Sequence, residues 1–510
     1  MSRSTASGIA SSRQRFKVSQ VCDACRCHLN LDQACNGQSP SCERRVRPSE
    51  SLSYPNPSYD RSMHAEPGMP ADAWNREASQ ATTQLLDAPH SPAQQAFPPM
   101  IPQLVDEFLP WADEFGFFLN KELLRFSLNP SNGPVLQYSR ALIAAACLWG
   151  AHLSSASDLA CHEATYLAET LQQLATALSQ DHPLCIVHTI QTEVLLSTYF
   201  FRQGRLLEGQ AHAGAAGALA MGAQLHKAIR ASGDATTVPS ADDDDKINAF
   251  WEVYGLTACW SSHFGYTSCI GADNISQIET PWPGEISTPD APQTLLHFPS
   301  AVLGKTGSNT ASLRALRAQA VFLYETSVIL ARQYHPGLSA RDFEAYFAAF
   351  RAHDKLLEAF RSTLAPPGYP PHSPQVARIL LLIHTLVHAA VIKLNEVFIK
   401  HEPTSWARYV ASAEAAVDLY VSSPMDNLLH FNPIFASLWS VIADALITAL
   451  HRMRSVRPFS FKLRSAHSGP LPKEEDVSAC VQKACAVMAL IALDCPLMGR
   501  SPDLPACSPR

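Results

Sequence analysis

The chain reads as an all-α protein, and three observations carry that reading. From Ile101 onward, apolar residues recur at helical spacing in one long segment after another. Strand patterns are nearly absent over the same stretch. The breaks between segments are short and carry Gly, Pro or polar clusters, the residues that end helices. With 510 residues, 46% of them hydrophobic, the chain can bury a sizeable core and hold more than one domain.

Residues 135–154 predict a buried helix and 161–178 an amphipathic one. Pro183 stands at a first helical position, where its missing N–H costs nothing, ahead of a helix over 184–201. Gly204 breaks the pattern and 206–224 resumes it, which predicts an antiparallel hairpin. Its second helix is rich in small residues (Ala211, Ala213, Gly214, Ala215, Ala216, Gly217) that allow close packing. Residues 231–246 read as a polar loop carrying Asp242 to Asp245. Helix returns over 247–265, where Phe250, Trp251, Tyr254 and Trp260 are available for a core. Thr280-Pro281-Trp282-Pro283 opens an irregular segment to about residue 310. Further helices are expected at 311–333, 340–364, 374–399, 405–422, 433–453 and 473–493. Together these form one large domain over 101–500.

The first hundred residues differ in texture. Residues 49–100 are rich in Pro, Ser, Asn, Gln and Ala and read as a disordered linker, with Pro-Asn-Pro at 55–57 and Phe97-Pro98-Pro99. No heptad repeat is sustained there, so a dimerising coiled coil is not supported. Residues 1–20 read as a disordered basic N-terminus. Between them, residues 21–48 hold a cysteine cluster: Cys22, Cys25, Cys27, His28, Cys35 and Cys42. A C-x-x-C turn can present two soft thiolates to one zinc ion, and four such donors close a tetrahedral site. A module this small folds only with its metal.

Charge is uneven. The whole chain is −7, but residues 1–50 carry eight Lys/Arg against four acids. Arg13, Arg15, Lys17, Arg26, Arg44, Arg45 and Arg47 could neutralise phosphates of double-stranded DNA; the bland alternative is a solvated basic tail. Within Cys27-His28-Leu29-Asn30-Leu31-Asp32-Gln33, the residues His28, Asn30 and Gln33 can hydrogen-bond to bases, while Asp32 opposes the phosphates. Non-specific binding is thus easier to defend than base reading.

Met1 to Gln20 has no apolar stretch, so no signal peptide is expected. The most apolar window, 379–394, carries His384, His388 and Lys393 and is too short to cross a bilayer. The remaining nine cysteines are scattered through mostly helical surroundings, which points to reduced thiols and a cytosolic or nuclear compartment.

Two regions resemble one family. Val21-Cys22-Asp23-Ala24-Cys25-Arg26 and Cys35-Asn36-Gly37-Gln38-Ser39-Pro40-Ser41-Cys42 resemble the binuclear zinc-cluster domain of fungal transcription factors at its first four cysteine positions. In that family six cysteines hold two zinc ions, and a basic helix between the second and third cysteines enters the major groove. This chain departs from the pattern. Nine residues separate Cys25 from Cys35, where the family keeps six, and only Arg26 among them is basic. Arg45 stands where the fifth cysteine would fall, and the linker holds no sixth. The module is therefore read as degenerate. In the body, Gln191-Thr192-Glu193-Val194-Leu195-Leu196-Ser197, Gly204-Arg205-Leu206-Leu207-Glu208-Gly209, Ile247-Asn248-Ala249-Phe250-Trp251 and Thr280-Pro281-Trp282-Pro283 resemble the helical regulatory region of the same family. So do His182-Pro183-Leu184, Asn432-Pro433-Ile434 and Asp494-Cys495-Pro496-Leu497-Met498.

The resemblance implies a nuclear transcription regulator that is not an enzyme. Zinc would be its cofactor, with Cys22, Cys25, Cys35 and Cys42 as ligands and Cys27 or His28 as substitutes. Its partners would be double-stranded DNA, a second transcription factor as homo- or heterodimer, and a small-molecule effector; no membrane is implied. Two other readings stay open. One is a protein–protein co-regulator that has lost its own DNA binding, motivated by the missing cysteines. The other is an all-α enzyme, for which Asp242–Asp245 is the one cue, resembling the magnesium-binding run of terpene cyclases. His384 and His388 share a helix face but lack an H-E-x-x-H arrangement, so core or groove histidines are expected. Gly214 to Gly222 lies inside a helical pattern and not after a strand, which argues against a phosphate loop.

Overall fold

The computed structural model describes residues 100–128, 138–179, 185–228, 241–271, 276–284, 294–304, 312–366, 373–424, 430–456, 473–492 and 495–498. All of them fall within one compact unit, Pro92–Arg510. The cysteine cluster, the basic N-terminus and the linker lie outside the described residues. Among the described residues the only regular structure is helical, so the chain is all-α as the sequence predicts.

The helices follow in chain order. The first group is α1 (Met100–Phe108), α2 (Lys121–Ser127), α3 (Arg140–Leu153), α4 (Ser157–Ala160), α5 (Glu163–Leu174), α6 (Cys185–Arg202) and α7 (Leu206–Gly222). After α8 (Ala241–Phe264) and the short α9 (Phe298–Gly304) come α10 (Leu313–Gln333), α11 (Ala340–Thr363) and α12 (Pro374–Asn395). The last are α13 (Pro403–Val421), α14 (Ile434–Val456) and α15 (Glu474–Ala492). Side-chain caps set many of the starts. Asn120, Ser139, Ser312, Ser339 and Ser373 each accept a hydrogen bond from the backbone N–H three residues on. Pro374 fills the first turn of α12, where its lack of an N–H is harmless.

The α6–α7 hairpin forms as the sequence predicts. Gly204, at φ +72°, closes α6 by a paired turn: its N–H donates to Phe201 O, and Arg205 N–H to Phe200 O, both at 2.9 Å. The small-residue reading holds at particular places. A Cβ on Gly209 would lie 2.6 Å from the Phe201 ring, and one on Gly217 would lie 2.5 Å from Cys269 Sγ. At Gly214, by contrast, nothing stands within 4 Å.

Three expectations need correction. Asp242–Asp245 do not sit in a loop, because α8 begins at Ala241 and the acids occupy its first turns. Negative charge there complements the positive end of the helix dipole, so a run that looks loop-like favours the helix start. The segment expected to be irregular contains α9. The length argument against a membrane span also fails. Both α12 and residues 434–455 of α14 are long and apolar enough to cross a bilayer, but 83% and 61% of their apolar stretches lie inside the protein.

The core is built around α12, which is buried on almost every side and packs against α10, α11, α13 and α14. Aromatic stacks tie the N-terminal helices together. Phe115 lies 3.9 Å from Trp149 and Phe201 3.7 Å from Trp260, ring centre to ring centre. Phe250, Trp251, Tyr254 and Trp260 are all buried, as α8's sequence predicts.

Candidate functional site

The site begins with a tight turn, residues 112–118, that enters the core between α1 and α2. Gly116 permits it, at φ +83°; a Cβ there would meet Glu252 Oε1 and Val194 Cγ1, each at 2.9 Å. Polar groups from distant helices hold the turn. Gln191 on α6 accepts the Phe118 N–H at 2.7 Å and donates to Gly116 O at 3.0 Å. Arg314 on α10 donates to Phe118 O at 2.9 Å. Asn432, just before α14, donates to Glu114 O at 2.7 Å and accepts the Ile434 N–H, which caps α14. Arg378 on α12 reaches Glu114 itself: Nε donates to Oε1 at 3.0 Å, and the guanidinium lies 4.5 Å above the Trp111 ring. Burial pushes the Glu114 carboxyl up to about 7, against the opposing pull of Arg378.

Beside this turn, α8, α10, α12 and the start of α14 leave a cleft. Phe118, Trp251 and Trp260 form part of its wall, and Arg314 and Arg317, one turn apart on α10, face into it. It holds about 50 Å³, room for a few water molecules. Arg317 pairs with Glu252 of α8, and Arg314 also lies 3.7 Å from Asp113. Trp251 is fixed by a 4.3 Å stack on Trp282 and by an N–H donated to Pro281 O at 2.7 Å. Below it, the Tyr254 hydroxyl donates to Glu325 at 2.7 Å. Cys259 lines the cleft as a neutral thiol, because burial raises its pKa far above the ordinary value.

A second polar cluster joins α3, α5 and α6. His152 Nε2 accepts from Arg202 Nε at 3.0 Å, so Nδ1 carries the proton and donates to Glu163 Oε1 at 3.0 Å. Tyr199 donates to the same oxygen at 2.7 Å. The His152 hydrogen bond, with burial opposing, holds Glu163 below the usual carboxylate range. Arg202 also donates to Phe431 O at 3.3 Å. This cluster braces α3, α5 and α6 against one another.

All the candidate zinc ligands (Cys22, Cys25, Cys27, His28, Cys35, Cys42) and all the candidate phosphate contacts (Arg13, Arg15, Lys17, Arg26, Arg44, Arg45, Arg47) lie outside the described residues. Of the two histidines expected in the core or a groove, His388 is a core residue and His384 is half-buried. His388 is buried with Nδ1 unpartnered, and burial lowers its pKa to about 3; His384 bonds Ala365 O at 2.9 Å. Among the described residues no three or more His, Cys, Asp or Glu side chains form a group that could hold a metal. Asp245 is raised to about 6 by burial, then by Asp242, while Arg314 opposes the shift. Described cysteines are all free thiols.

The turn at 112–118 and the two-arginine cleft were not read from the sequence. Gly116 stands in plain view in the sequence, but the groups that hold its turn come from as far as 318 residues away along the chain. Comparison with known proteins gives one family match: residues 107–290 match the fungal specific transcription factor domain. That is a transcription-factor family and not an enzyme family, and it supports a regulator of transcription. The match covers the turn, the α6–α7 hairpin and all of α8. No curated protein and no solved structure matches the chain.

Proposed function

We propose that this chain is a zinc-cluster-type transcription regulator that binds DNA through its N-terminal cysteine module, residues 21–48, and is regulated through its helical domain, residues 101–500. The observation that carries the reading is the family match over 107–290 downstream of a thiolate cluster with a C-x-x-C start. Cys22, Cys25, Cys35 and Cys42 supply the four soft donors that one tetrahedral zinc needs, with Cys27 and His28 as further donors. A shared two-zinc centre requires six cysteines, and Arg45 occupies the place of the fifth, so the donor set suits one ion. Zinc would act structurally, holding the module folded. Arg13, Arg15, Lys17, Arg26, Arg44, Arg45 and Arg47 would contact phosphates of double-stranded DNA. Such a regulator works in the nucleus, alone or paired with another factor.

A second reading rests on the same cluster. With only Arg26 basic between Cys25 and Cys35, base recognition is weak, and the protein could act as a co-regulator tethered by a partner. Chromatin occupancy separates the two. Deletion of residues 1–60 is expected to abolish promoter occupancy; unchanged occupancy would establish the co-regulator in its place.

A further inference from the structure

The cleft beside the 112–118 turn contains one residue that packing does not explain. Gly255 stands in mid-α8, where glycine costs about 1 kcal/mol relative to alanine. Gly255 is half-buried, and unlike it the fully buried glycines answer to a close neighbour: Gly209 to the Phe201 ring, Gly217 to Cys269, Gly116 to Glu252 and Val194. At Gly255 a Cβ would meet nothing nearer than Val321 Cγ2 at 3.9 Å, an ordinary contact. What the missing side chain leaves is open space in the cleft wall.

Facing that space are two guanidinium groups one helical turn apart. Arg317 is answered by Glu252, which also lines the cleft. Arg314 spends one N–H on Phe118 O, and its nearest carboxylate, Asp113, stands 3.7 Å off and outside the lining. Asp245 and Glu114 also act on this pair of arginines from beyond the wall. Within the lining itself the formal charge is two arginines against one glutamate. Asn248 and Asn432 add amide groups, and the remaining surface is largely apolar, including Trp251, Val321 and Leu386. Guanidinium is the side chain best matched to a planar two-oxygen anion.

We infer that this cleft is an effector site for a small organic carboxylate, whose head group meets Arg314 and Arg317 and whose apolar body lies against the aromatic wall beside Gly255. The inference deepens the regulator reading, on which its purpose rests. At about 50 Å³ the cleft admits a head group and a short chain. Both arginines sit on α10, which packs against α8 and on the central helix α12. A ligand held by these arginines thereby bears on the core through α10.

The test is calorimetric titration of the full chain, without DNA, using acetate, butyrate and butyramide as probes. Saturable binding of butyrate, with butyramide at least tenfold weaker, is expected. Arg314→Met should weaken butyrate about tenfold or more through loss of a charge-assisted contact. Gly255→Met, which fills the cleft from a helix position that tolerates a side chain, should abolish binding while the melting temperature holds or rises. Glu252→Gln, which removes the competing carboxylate, should tighten butyrate several-fold, a gain that a purely structural ion pair would not produce. Equal binding of butyramide, unchanged affinity in Gly255→Met, or no saturable binding by wild type and Glu252→Gln would each overturn the inference. None of these outcomes bears on zinc or DNA binding, so the regulator reading stands or falls separately.

Discussion

Arg378 and Glu114 form an ion pair in the interior, Nε to Oε1 at 3.0 Å, with each side chain only 3% exposed. They lie 264 residues apart in the chain, and the bond pins the entering 112–118 turn to the central helix α12. Two desolvated charges repay their burial only when paired, so removing one leaves the other stranded. Arg378→Met or Glu114→Leu should each destabilise the protein by about 3–5 kcal/mol. The double variant should recover a large part of that loss. Chemical denaturation of the four proteins checks it, and additive single effects would show the pair to be uncoupled.

Two buried histidines set an acid limit. His353 donates from Nε2 toward Leu323 O at 3.1 Å and lies 2.9 Å from Ser327 Oγ; burial lowers its pKa to about 4. For His388 burial lowers it to about 3. Between those values and the ordinary 6.5, the unfolded chain holds a proton that the native state refuses. Their stabilising contribution is therefore complete above pH 6.5 and is lost as pH falls toward 4. His353→Gln should be less stable than wild type at pH 7.5, and the gap should close by up to roughly 3 kcal/mol by pH 4. Melting temperatures of both proteins at half-unit intervals give the answer; a gap independent of pH would contradict it.

Gly116 should not tolerate a side chain. Its φ of +83° disfavours any L residue, and its position is crowded by Glu252 and Val194. Gly116→Ala is expected to cost about 1–3 kcal/mol. The same change at Gly214, exposed on α7 with open space around it, should stabilise by a few tenths to 1 kcal/mol. Thermal melts of the two variants, side by side, should move in opposite directions.

Much of the helical architecture was legible because apolar residues at period 3.6 mark a buried face wherever a helix packs. Boundaries of α11, α13 and α15 fall within a few residues of the sequence reading. The start of α8 was not, because Asp242–Asp245 resemble a loop in composition while their charge suits a helix N-terminus. Helix α1 was hidden by its position against the Pro-rich stretch and by Pro102 in its first turn. The ion pair and the cleft left no local trace. Glu114, Arg314, Arg317 and Arg378 look like ordinary surface charges until the fold brings them inside, and no spacing rule links residues that far apart. The cysteine cluster is the reverse case: its chemistry can be read in one short stretch of sequence.

If a zinc-held N-terminal module gives the chain its DNA binding, as proposed, that binding depends on the metal. The most direct measurement is DNA affinity of the zinc-loaded full chain at fixed salt, before and after a strong chelator and again after zinc is restored. One bound zinc per chain, loss of DNA binding on chelation and its return with zinc are the expected results. Full affinity in strong chelator would contradict the claim.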